Sequence, residues 1–117
     1  MSDLDPLVSD WLTLPDLAER LGVDVMAVRR LIQDRFLLAV RRGEGKVLSV
    51  PAELLRDGQP MPELPGTLTL LVDCGYEADE ALRWLLTPDG SAQGSPIAAL
   101  RAGHKAEVRR RAQALAF

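Results

Sequence analysis

The chain has 117 residues and 12.8 kDa, enough for one compact domain or a small domain with a helical extension, and too little for a multidomain enzyme. Hydrophobic residues make up 47% and charged residues 26%, which permits a buried core and excludes the composition of a disordered chain. The net charge of −3 excludes a uniformly basic nucleic-acid binder, but the signs segregate: −5 over residues 1–24, +4 over 25–50, −6 over 51–90 and +4 over 91–117. Because each charge acts over a Debye length of roughly 8 to 10 Å, a basic block can attract phosphates although the whole molecule is acidic.

Residues 1–11 show little periodicity and several acids and read as an N-terminal tail. No apolar run approaches the roughly 18 residues of a membrane helix, and Ser2-Asp3-Leu4-Asp5 lacks the basic start of a secretory signal, so a cytoplasmic protein without membrane association is expected. Helix signals begin at Thr13, an N-cap followed by Pro15 in the first turn and by Asp16 as the acidic partner of a capping box. Leu12 and Leu17 flank that cap as a hydrophobic staple. Leu14, Leu17, Ala18 and Leu21 recur at helical spacing until Gly22 supplies the left-handed stop.

Asp24 caps a second helix in which Val25, Val28, Leu31 and Ile32 share one side, while Met26, Arg30 and Gln33 project opposite with Arg29 on the flank. Two short helices around a Gly-containing turn, the second with an arginine-bearing outer face, form a helix-turn-helix pattern. Phe36 to Arg42 reads as a strand, Gly43-Glu44-Gly45 as a turn and Lys46 to Val50 as the returning strand, which makes a wing. Pro51 is expected to open a short helix through Leu55. The division is then a winged helix-turn-helix over 12–56, a Pro/Gly-rich linker over 57–63 and a C-terminal helical domain over 64–117.

In that last domain, Leu68, Leu71 and Val72 mark a helix ending at Gly75, and Ala81, Leu82, Leu85 and Leu86, with Trp84, mark another. Ser95-Pro96 caps a short helix to Arg101. After Gly103, the stretch from His104 to Phe117 carries Val108, Ala112 and Leu115 on one side and Arg109, Arg110 and Arg111 around the rest. The fold class expected is mainly α, with a two-stranded hairpin wing.

The chemistry suited to a partner lies in Arg29, Arg30 and Gln33, with Met26 beside them, and in Arg41, Arg42 and Lys46 of the hairpin. Arginine donates two hydrogen bonds to guanine O6 and N7 and glutamine serves adenine, whereas wing cations need only reach phosphates. Double-stranded DNA is the expected partner, and a solvated basic face is the alternative. Nothing comparable supports an enzyme: His104 has no nucleophile or paired carboxylate in its surroundings, and Gly43-Glu44-Gly45 opens no helix on which a phosphate-binding loop could end. One cysteine and one histidine cannot build a disulfide or a Cys/His zinc site, and Cys74 suits burial as a small hydrophobe. Glu77, Asp79 and Glu80 lack the spacing of a calcium loop and suit a helix start. Trp11 and Trp84 read as core or interface anchors. No cofactor is called for.

The run from Thr13 to Val23, followed by Val28-Arg29-Arg30-Leu31-Ile32 and Leu38 to Arg42, resembles the winged helix-turn-helix of excisionase and MerR-type proteins. Leu64 to Leu71, Gly75-Tyr76, Ala81 to Leu86, Ser95 to Leu100 and Arg109 to Ala116 resemble a small actinobacterial family in which such a domain precedes a C-terminal helical domain. The similarity runs from Leu12 onward and departs at the N-terminus, where this tail is short. It implies a cytoplasmic DNA-binding protein of regulatory type. The Ser95 to Gly103 run with the arginine-rich helix also resembles the toxin-binding half of some antitoxins, which would make the protein an adaptor with a protein partner at its C-terminal helices. A monomer is expected rather than a homodimer, because so short a chain with few aromatics needs its apolar helix faces for its own core.

Overall fold

The computed structural model describes residues 4–90 and 93–115. Ser2 and Asp3 of the acidic N-terminus, and Ala116 and Phe117 of the terminal helical stretch, lie outside the described residues. The fold is mainly helical with a small antiparallel sheet, in the order β1 (Trp11–Thr13), α1 (Leu14–Leu21), α2 (Val25–Gln33), β2 (Val40–Arg42), β3 (Val47–Pro51), β4 (Leu55–Arg56), β5 (Gln59–Pro60), α3 (Leu64–Asp73), α4 (Ala78–Leu86), α5 (Pro96–Arg101) and α6 (Lys105–Ala114).

The helix boundaries follow from local chemistry. At the start of α1 the Asp16 N–H donates to Thr13 Oγ1 at 3.3 Å and the Thr13 N–H donates to Asp16 Oδ2 at 3.2 Å, the reciprocal capping box. Gly22 ends the helix at φ 70°, and the Val23 N–H reaches back to the Ala18 carbonyl at 3.0 Å. Asp24 Oδ1 then accepts the Ala27 N–H at 2.8 Å and starts α2. Ser95 Oγ accepts the Ala98 N–H at the head of α5, with Pro96 at the first position.

Several expectations need correction. The strand expected from Phe36 begins only at Val40. The N–H groups of Phe36 and Leu37 both turn back to the Leu31 carbonyl, Arg35 takes a left-handed φ of 64°, and Leu37 drops into the core with 0% exposure. Burying Leu37 and satisfying the end of α2 outweigh the strand propensity of an apolar run. The short helix expected from Pro51 through Leu55 is a single 3-10 turn, Ala52–Leu54, with Pro51 both closing β3 and standing at its N-cap. The stretch after it forms the β4–β5 hairpin through Asp57 and Gly58 at φ 54° and 76°, and Met61 is fully buried, so the linker packs as part of the body.

The tail expected over residues 1–11 is also engaged where it is described. Leu4 and Val8 are buried around a 3-10 turn, the Ser9 N–H donates to Glu53 Oε2 at 2.8 Å, and Trp11–Thr13 pairs with β3. The expected two-stranded hairpin is β2–β3, and β1 adds a third strand beside β3, in the order β1-β3-β2. Finally, the inner face of α3 is Leu64, Thr67, Leu68 and Leu71, while Val72 is 40% exposed.

One apolar core spans both halves, from Leu17, Val28 and Leu37 to Leu68, Leu82, Leu100 and Val108. Polar bridges reinforce it. Arg56 grips Glu63, the cap of α3, through two bonds of 2.6 and 2.9 Å and also reaches the Leu100 carbonyl at 3.4 Å. That guanidinium, by hydrogen bonding, holds the Glu63 carboxyl below its ordinary range.

Candidate nucleic-acid interface

The outer face of α2 follows from its period. Met26, Arg29, Arg30 and Gln33 stand at i, i+3, i+4 and i+7 and form one stripe, all exposed, with Met26 at 65%. Val28, fully buried, anchors the opposite side, with Val25, Leu31 and Ile32 packed against the core. The stripe thus stands on a helix capped at one end by Asp24 and held at the other by the Leu37 plug. None of its three polar side chains takes part in an ion pair among the described residues.

The wing divides its three cations. Alternation along β2 sends Arg41 and Arg42 to opposite faces. Arg41 is exposed and its Nη1 donates to the Lys46 carbonyl at 3.1 Å, which fixes it over the turn from Gly43 to Lys46. Lys46 is exposed in that turn at φ 49°. Arg42 has a different fate: its guanidinium lies 4.3 Å from the Trp11 ring centroid and pairs with Asp5, which also accepts the Trp11 Nε1–H at 3.1 Å. It lines a cleft of about 1000 Å³ whose far wall carries Glu77 and Asp79 from the start of α4. Arg41 lines the same cleft, so what distinguishes Arg42 from the other six candidate residues, among the described residues, is its ion pair with Asp5.

Sequence reasoning passed over Arg35. Its Nη1 donates to Thr69 Oγ1 of α3 at 3.1 Å, two residues beyond the end of the α2 stripe. The only local signal was its place just after the helix, next to Asp34. Other residues singled out from sequence have modest roles. His104 is exposed, with Nε2 3.4 Å from Gln93 Nε2, and Cys74 is half-buried with Sγ 3.8 Å from the Ala112 carbonyl. Glu77, Asp79 and Glu80 gather as three carboxylates, but Glu80 Oε1 accepts the Glu77 N–H at 3.0 Å, the bonding of a helix start.

Two family profiles divide the chain between them: one described as "DNA-binding protein Rv2175c, wHTH domain" matches residues 2–55, and one described as "Rv2175c C-terminal domain of unknown function" matches residues 61–116. A relative from Mycobacterium tuberculosis (strain ATCC 25618 / H37Rv), "DNA-binding protein Rv2175c", is 40% identical over 116 residues, covering 89% of this chain and 79% of that protein. The chain belongs to the Rv2175c family. The solved NMR structure of Rv2175c superposes with a TM-score of 0.84 at 38% identity, over 100% of this chain and 87% of that one. The actinobacterial resemblance seen in the sequence and the winged helix-turn-helix with its helical companion are therefore those of the Rv2175c family. Among the described residues no helix is long and apolar enough to cross a membrane.

Proposed function

We propose that this member of the Rv2175c family binds duplex DNA in a sequence-dependent way and acts as a transcriptional regulator. In this reading α2 lies in the major groove and the wing lies on the flanking backbone. The observation that carries it is the exposed stripe Met26, Arg29, Arg30 and Gln33 on a rigidly capped helix. Arg29 and Arg30 suit guanine, Gln33 suits adenine and Met26 suits a thymine methyl group. Arg41 and Lys46 supply phosphate contacts from the wing, and Arg42 holds the N-terminal segment to the sheet instead. The name of the mycobacterial relative, a DNA-binding protein, supports the same reading.

The experiment compares Arg30→Ala with Lys46→Ala on a preferred duplex and on scrambled ones. Arg30→Ala costs about 1 to 3 kcal/mol on the preferred site and flattens the preference, whereas Lys46→Ala weakens all duplexes alike. Equal losses by both variants on every sequence would refute α2 as the reading helix. Loss of all duplex binding in the wild type would favour a protein adaptor acting through the C-terminal helices.

A further inference from the structure

The consecutive arginines of α6 point three ways, as 100° per residue requires. Arg111 pairs with Asp89 and with Glu107 on the flank nearest α4. Arg110 is exposed on the side opposite the buried Val108 and Ala112. Arg109 lies across Gly66 of α3: a Cβ at residue 66 would overlap its guanidinium, with Cζ only 2.8 Å away. Gly66 costs helix propensity where it stands, and its missing side chain is what seats Arg109 against α3.

Gly66 and Thr69 are neighbours on one face of α3, about 5 to 6 Å apart, and Thr69 Oγ1 accepts the Arg35 guanidinium. Two guanidiniums from different halves of the molecule thus meet on one exposed helix face, and neither pairs with an acid among the described residues. Lys105, one turn before Arg109, extends the strip toward Glu63, whose charge Arg56 already neutralises. Asp73, one turn beyond Thr69, ends it.

We propose that Arg109, with Arg35 and Lys105, is a second phosphate-binding strip through which the C-terminal domain grips the backbone of the same duplex beside the α2 site. The strip starts two residues past Gln33, just beyond the C-terminal end of α2, and its cations, in no ion pair among the described residues, complement a phosphodiester chain. Seating on Gly66 orders the Arg109 side chain before binding, which lowers the entropy lost on contact. This inference rests on the duplex-binding reading above and assigns the C-terminal domain a part in it.

The test is the salt dependence of binding to a 20-base-pair duplex by the full chain and by Arg109→Ala, Arg35→Ala and Arg110→Ala. Each of the first two loses one phosphate contact, so the slope of log affinity against log salt shrinks by about 0.9 and affinity at about 0.1 M salt falls roughly eightfold. Arg110→Ala removes the same charge from the wrong face and keeps the wild-type slope. Should Arg109→Ala melt, Arg109→Gln keeps the aliphatic stem, places a neutral amide near Gly66 and gives the same readout. A wild-type slope in the Arg109 variants, or an equal loss in Arg110→Ala, overturns the strip while leaving the α2 site intact. Wild-type protein that binds no duplex overturns both.

Discussion

Leu37 is the residue on which the junction between α2 and the wing depends. It has 0% exposure and sits two residues after the left-handed Arg35, so truncation to alanine leaves a cavity inside the shared core. Buried leucine-to-alanine changes cost about 2.7 to 5 kcal/mol, and about 3 kcal/mol is a fair figure here. With an unfolding entropy of about 0.25 kcal/mol/K for 117 residues, that lowers the melting temperature by about 12 °C. Leu38 is only half-buried, and Leu38→Ala lowers it by about half as much. Calorimetry of the two variants decides between structures. A continuous strand from Phe36 would turn Phe36, Leu38 and Val40 inward and Leu37 outward, so an equal or larger shift for Leu38→Ala would refute the plug.

Two further outcomes follow from the packing. The folded Glu63 carboxyl titrates below its ordinary 4.5, so its stabilising contribution is complete above that value and is lost as pH falls through the lower one. Stability of the wild type therefore drops on acidification below about pH 5, and Glu63→Gln, measured by denaturant titration at several pH values, shows a shallower drop; equal acid limbs would contradict the linkage. Val108 and Ala112 are buried within the chain's own core, so sedimentation at micromolar concentration gives a mass near 12.8 kDa, and twice that mass would contradict the monomer.

How far the sequence announced this molecule depended on the range of the interactions. Thr13, Asp16, Gly22, Asp24 and Ser95 act on backbone groups within four residues, and the helices they bound are where those signals put them. The α2 stripe was legible for the same reason, since period and caps are both local. The strand at Trp11–Thr13 and the two-residue strands at Leu55 and Gln59 are too short for alternation to register, and they form because β3 and a left-handed Asp57-Gly58 turn supply partners. The fates of the arginines were the least legible. Arg42 meets Asp5 across 37 positions, Arg35 meets Thr69 across 34 and Arg109 meets Gly66 across the whole C-terminal domain, so identical side chains in similar local sequence end in different roles.

The most direct measurement of the central claim is a titration of fluorescent duplex DNA with the full chain at 50 and 200 mM salt. A module of this size makes about 3 to 6 phosphate contacts, each contributing a slope of about −0.9, so affinity falls by about 40-fold or more between the two conditions. Binding that is absent at 50 mM, or that is equally strong at 200 mM, would contradict the account.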